Sequence, residues 1–144
     1  MQEESGITAI AHIIQLSVAP VFLLTGIGTL LSVMTNRLGR VVDRTRVLKG
    51  MVVPGHVNPS TETELSILSR RARLVSIAIT LCTITALLIC GVIAILFLGN
   101  TLKVDIHGSV VLLFISAMAT LFGGLVTFLI EVLTAAGRLN FDAD

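Results

Sequence analysis

Tryptophan and tyrosine are both absent from this sequence. Bilayer-spanning helices normally carry them as belts at the two interfaces, so here Arg, Lys and Phe must set helix depth. Charge is scarce too: 13% of residues are Asp, Glu, Lys or Arg, against roughly 25% in a soluble domain. With 54% hydrophobic residues and a mean hydropathy of +0.98, the balance excludes an ordinary soluble domain and belongs to an integral membrane protein. The only cysteines, Cys82 and Cys90, share one apolar run and read as small buried hydrophobes rather than a disulfide or metal site. Catalytic signatures are missing as well. There is no Gly-rich phosphate loop before a helix, no His/Cys/Asp ligand cluster, and neither G-x-S-x-G nor H-E-x-x-H. His12, His56 and His107 are scattered. The expectation is a non-enzyme that uses no cofactor and no metal. The acidic start, Gln2-Glu3-Glu4-Ser5, lacks the basic n-region of a cleaved signal peptide, so the first apolar run is expected to stay in the mature protein.

What is present is three long apolar runs. No charge occurs between His12 and Arg37, a stretch longer than the ~20 residues that span hydrocarbon as a helix. Pro20 inside it withholds one backbone donor and predicts a local kink, either tolerated in packing or used as a hinge. Leu74 to Leu102 is again uncharged, and Ser109 to Leu133 holds a single ionisable residue, Glu131. Three spans are expected, at about 11–36, 74–99 and 108–135. A polar link with Lys103, Asp105 and His107 joins the last two, and an acidic tail, Asn140 to Asp144, follows.

Between the first two spans lies the basic segment that orients the chain. Arg37, Arg40 and Arg44 recur at helical spacing after the first run, while Leu38, Val41, Thr45 and Leu48 gather elsewhere. Two prolines and two glycines between Gly50 and Pro59 interrupt the pattern, and Thr61 with Glu64 has the spacing of a capping box that restarts it. The matched arms, about 37–49 and 61–73, predict a helical hairpin reaching on the order of 20 Å beyond the bilayer. Nine of the ten Lys and Arg residues lie in 37–73 or at Arg138. The positive-inside rule then predicts an N-terminus outside and a cytosolic hairpin and C-terminus. The fold expected is an all-α integral membrane protein, a single domain over 1–144, whose first two spans extend into a cytosolic helical hairpin over about 37–73. If its arms run antiparallel, Asp43 falls near Arg70 or Arg71, and Glu62 and Glu64 near Arg46 or Lys49.

Each span carries a row of small or hydroxyl residues, including Thr25, Thr29 and Ser32, then Ser76, Thr80 and Thr83, then Thr120 and Thr127. Such rows let helix backbones approach closely, and they serve either packing within the chain or a polar path through an oligomer. Glu131 must find a cation, reach the interface or stay protonated. Similar depth on antiparallel neighbours, and a place on the small-residue rows along which those helices would pack, make Arg73 its first expected partner, with Arg37 or Arg40 next. Left on an oligomer axis instead, it becomes a candidate ion or proton site. Arg37, Arg40, Arg70, Arg71 and Arg73 are juxtamembrane and are expected to meet anionic lipid headgroups, at roughly 1 kcal/mol each, or a partner. The hairpin holds no aromatic residue, which argues against nucleic acid.

The strings Ile14-Gln15-Leu16, Ala19-Pro20-Val21-Phe22-Leu23-Leu24-Thr25-Gly26 and Thr35-Asn36-Arg37-Leu38-Gly39-Arg40-Val41-Val42-Asp43-Arg44 carry a resemblance. The chain resembles a prokaryotic family of short three-span membrane proteins known only as a domain of unknown function. The N-R-L-x-R-x-x-D-R pattern is the specific part; the later spans match in hydropathy and in the returning Arg-Arg pair. The resemblance implies a multi-pass protein of a prokaryotic plasma (inner) membrane and supplies no activity. The function expected is a self-associating structural or interaction module, with a subunit of a small homo-oligomeric ion channel or pore as the alternative. A homo-oligomer serves both.

Overall fold

The computed structural model describes residues 2–51, 59–102 and 107–139, which form three α-helices: α1 (Gln2–Met51), α2 (Pro59–Leu102) and α3 (His107–Leu139). There is no strand among the described residues. Most of the Pro/Gly break, the Lys103–Asp105 part of the second link and the acidic tail lie outside them. All three helices are long and apolar enough to cross a membrane. At ~1.5 Å per residue α1 is about 75 Å long and α2 about 66 Å, each more than twice a hydrocarbon core of ~30 Å.

The boundaries differ from the sequence expectation in small ways with local causes. α2 begins at Pro59 rather than at a Thr61 cap; proline suits a first helical position because its missing N–H has no partner there and its φ is already helical. His107 opens α3 instead of closing the link. α1 runs unbroken from Gln2 through Pro20, so the acidic start belongs to the helix.

The helices meet along seams with a seven-residue repeat. On α1 Ile27, Met34, Val41 and Leu48 are buried, and on α2 Leu68, Val75, Cys82 and Ile89, with Ala78, Thr85 and Val92 as a second line beside them. On α3 Ala117, Gly124 and Glu131 are buried at the same spacing. A sustained heptad spacing keeps one line of side chains on a neighbouring helix over its whole length. α2 is the central helix, packed against α1 on one flank and α3 on the other. Ile27 and Met34 close on Val75, Ala78 and Cys82, with Leu121 and Phe128 of α3 packed against the same cluster. Beyond Arg37 and Arg71 the seam continues through Val41, Leu48 and Leu68, with Leu65 and Ala72 against them. The polar ends of α1 and α2 therefore pair through an apolar strip of their own.

Facing outward are Phe22, Leu87, Leu112 and Phe122, each about two-thirds exposed or more. In water this surface would be a liability. In lipid it is the natural exterior, since acyl chains are as apolar as the seam.

The paired ends carry one ion pair between helices, Arg44 Nη2 to Glu64 Oε1 at 2.9 Å, with Arg44 Nε donating to the same oxygen at 3.1 Å. The sequence put Arg46 or Lys49 opposite Glu64; the register of Met34 on Val75 and Val41 on Leu68 puts Arg44 there. Asp43 is exposed and makes no ion pair among the described residues, so it does not meet Arg70 or Arg71. Both partners of the Arg44–Glu64 pair are about half exposed, and such pairs contribute at most ~1 kcal/mol. Glu64→Gln should therefore lower the melting temperature only slightly at low salt and not at all in high salt. A loss that persists in high salt would mean the pair is shielded from solvent.

Candidate functional site: a three-helix ion layer beside an arginine groove

α3 brings Glu131 to its seam with α2 because residue 131 continues the Ala117–Gly124 spacing. The side chain is fully buried. Arg71 of α2 donates Nε and Nη2 to Glu131 Oε1 at 3.2 and 3.0 Å. Arg37 of α1 brings Nη1 to 3.6 Å from Oε2, a charge contact too long for a hydrogen bond. Oε2 has no hydrogen-bond partner. The Arg37 guanidinium also lies over the Phe128 ring, 5.6 Å from its centroid, where the ring's negative face attracts it. One carboxylate thus ties all three helices at a single level. Removal of a partner from such a layer leaves a buried charge uncompensated, which is far costlier than the pair's net contribution.

Arg73, the first choice from the sequence, is exposed and takes no part. Positions 71 and 73 are two residues apart and so point about 200° apart on a helix. Arg71 shares the phase of Ala78, Thr85 and Val92, one of the two buried lines of α2. Depth and a place on the small-residue row of α2 favoured Arg73, but that row is exposed and the buried side of the helix carries Arg71. Arg37 is present as expected, whereas Arg40 stays clear of Glu131 and Arg70 is exposed.

Above the layer, Arg37, Arg40, Val41 and Arg44 of α1 and Leu68 and Arg71 of α2 line a groove of about 360 Å³. The three α1 arginines recur at steps of three and four, which places them along one side of the helix. Arg40 makes no ion pair among the described residues.

The hydroxyl rows separate into two kinds. The α3 row reaches its seam: Thr120 shares a 2.9 Å hydrogen bond with buried Thr85 of α2, and Gly124, next to Gly123 of the row and not itself in it, sits under Ala78, Leu81 and Cys82. Thr127 bonds the Gly123 carbonyl. The rows of α1 (Thr25, Thr29, Ser32) and α2 (Ser76, Thr80, Thr83) are exposed, outside the three-helix contacts. Thr25, Thr29, Thr80 and Thr83 each donate to the carbonyl four residues earlier in their own helix. Their hydroxyls are satisfied without any partner helix, which is how such residues persist on a lipid-facing surface. Among the described residues no group of His, Cys, Asp or Glu could hold a metal ion.

Three apolar helices long enough to span a bilayer, tied by a buried ion layer, define a multi-pass membrane protein. The chain belongs to the DUF2721 family, described as a protein of unknown function, whose family model matches residues 17–141. That match takes in all the residues of the ion layer and the groove. No curated protein and no solved structure matches the chain.

Proposed function

We propose that the protein is a non-catalytic structural or interaction module of a prokaryotic plasma membrane, self-associating within the bilayer and presenting the paired basic ends of α1 and α2 to the cytosol. The observation that carries this reading is the state of Glu131. The only charge within a span is wholly buried and held by two arginines, which suits a structural tie rather than an ion path. Self-association is supported by the exposed hydroxyl rows of α1 and α2, whose small side chains suit close helix approach. The same rows favour the second reading, a homo-oligomeric pore lined by Ser76, Thr80 and Thr83. Reconstitution in liposomes separates the two: the module reading expects an oligomer of defined mass and no ion flux above empty vesicles. A conductance that Thr80→Leu abolishes would replace it with the pore.

Orientation follows from the Lys and Arg bias, and the N-terminus is outside in this reading. A single cysteine at Ser109 is expected to react with a membrane-impermeant thiol reagent added to intact cells, and one at Lys49 is expected to react only after lysis. The reverse pattern would invert the topology and with it the cytosolic role of the arms.

A further inference from the structure

We propose that the groove between α1 and α2 lined by Arg37, Arg40, Arg44 and Arg71 is a binding site for one phosphate group, preferentially a phosphomonoester. Four guanidinium groups border this one opening together with Val41 and Leu68. Two carboxylates oppose them: Glu131, shared by Arg37 and Arg71, and Glu64 on Arg44. Four positive charges against two negative ones leave two uncompensated, the charge of a phosphomonoester dianion. Asp43 is one turn from Arg40 but makes no ion pair with any of the four among the described residues.

The geometry favours a bound group over a diffuse counterion cloud. Arg71 and Arg37 are each about three-quarters buried and both are held by Glu131, which does not line the groove, so the donors left over are already oriented. Planar forks of this kind match phosphate oxygens in pairs. Arg40, with no carboxylate of its own, supplies a cation whose charge nothing in the described chain answers. At about 360 Å³ the groove is within the range of small-ligand sites, ~300–1,000 Å³. The apolar strip of Val41 and Leu68 forms its floor. Arg37 bounds the charge-free run of α1 and Arg71 lies within one turn of the end of that of α2, the level of lipid headgroups. A membrane-held phosphomonoester and a soluble phosphate both present the required chemistry. This inference rests on the membrane placement proposed above for the choice between those sources, and on the groove alone for binding.

The test uses the full chain in phosphatidylcholine nanodiscs, read by native mass spectrometry and by saturation binding. One set of discs contains a few per cent phosphatidic acid; another receives inorganic phosphate or pyrophosphate in the buffer. Wild type is expected to retain one phosphate-bearing molecule per chain. Arg40→Gln should weaken retention about tenfold, as expected for one charge-assisted contact, and Arg40→Gln with Arg44→Gln should abolish it. Arg70→Gln with Arg73→Gln removes the same charge from exposed arginines outside the groove; it should lower only the diffuse, non-saturable attraction to anionic headgroups and leave the affinity of the saturable, one-per-chain site unchanged. Saturable binding of phosphatidic acid alone assigns the site to lipid. Binding of inorganic phosphate or pyrophosphate with the same dependence on Arg40 assigns it to a soluble phosphate. Non-saturable binding, or an equal loss in the Arg70/Arg73 variant, overturns the site. That result leaves the structural module intact, since the ion flux and oligomer measurements do not involve the groove. Arg40 is exposed and makes no ion pair among the described residues, so its variant should remain folded; size-exclusion chromatography of each disc preparation checks this.

Discussion

Glu131→Ala is expected to cost about 3–5 kcal/mol of stability, the range for removing one member of a buried ion pair. The physical reason is that Arg71 and Arg37 stay where they are, three-quarters buried at the end of an apolar run, with no other carboxylate in contact. Arg71→Ala should be nearly as damaging, because it takes both hydrogen bonds from Glu131 Oε1 and leaves the longer Arg37 contact alone. Arg73→Ala, two residues away, should fall within ~0.5 kcal/mol, as exposed substitutions usually do. The charge swap Arg71→Glu with Glu131→Arg should recover only part of the two single losses: it restores the pair between adjacent helices but sets Arg37 against an arginine at position 131. Thermal unfolding of the purified variants in one detergent reads the series. An Arg73→Ala loss equal to that of Arg71→Ala would place the partner on the other side of α2 and break the layer described here.

The second large effect is steric. A Cβ at Gly124 would stand 3.1 Å from Cys82 Sγ, 3.3 Å from Leu81 Cβ and 3.4 Å from the Ala78 carbonyl oxygen. Two of those atoms belong to, or are fixed by, the α2 backbone, so the helices must part to admit anything larger. Gly124→Leu is expected to lose upward of ~2 kcal/mol by overpacking and to weaken the contacts on either side, the Thr85–Thr120 bond and Arg71 on Glu131. Its neighbour behaves differently. At Gly123 the nearest atom is Leu81 Cδ1 at 3.7 Å, an ordinary contact at a flexible tip, so Gly123→Ala should be tolerated. Gly28→Ala, which meets nothing within 4 Å, should be neutral or stabilising by up to ~1 kcal/mol through helix propensity. If Gly124→Leu melts with wild type while Gly123→Ala does not, the α2–α3 register is off by one residue.

Parts of the candidate site were legible without a structure. An acid in an apolar run has to find a cation, and the arginines at the ends of the other two runs were the available cations. Which of them it would find was not legible. Arg71 and Arg73 are equivalent in composition and within ~3 Å of each other in depth along a helix, so the choice depends on the rotation of α2. Rotation is hidden in these spans because the faces toward lipid and toward the seam are both apolar: Ile77 and Leu87 face out while Val75 and Ile89 are buried. An amphipathic helix in water would have shown its buried side. The heptad spacing of Ile27, Met34, Val41 and Leu48 runs through the sequence, yet other apolar residues at every phase obscure it. Only beyond Arg37, where polar residues return, does the pattern of Val41, Leu48, Leu65 and Leu68 stand out.

The hydroxyl rows teach the same point from the other direction. Three rows of like composition suggested three like roles, but only the α3 row reaches a neighbouring helix, through Thr120 on Thr85 and Gly123 against the Leu81 side chain. Thr80 and Thr83 are satisfied by their own backbone, so nothing local forces them inward. What the amino-acid order by itself determined is whatever depends on transfer into lipid. The number of apolar helices and the approximate ends of the charge-free runs follow from the free energy of placing each residue in hydrocarbon, a sum over local chain that needs no partner. What only the tertiary structure decided is which side of each helix is inside. In a bilayer that depends on close fit and paired charges between helices, such as Gly124 beneath Cys82 and Glu131 between Arg71 and Arg37, because apolar surface gains as much from lipid as from a neighbouring helix.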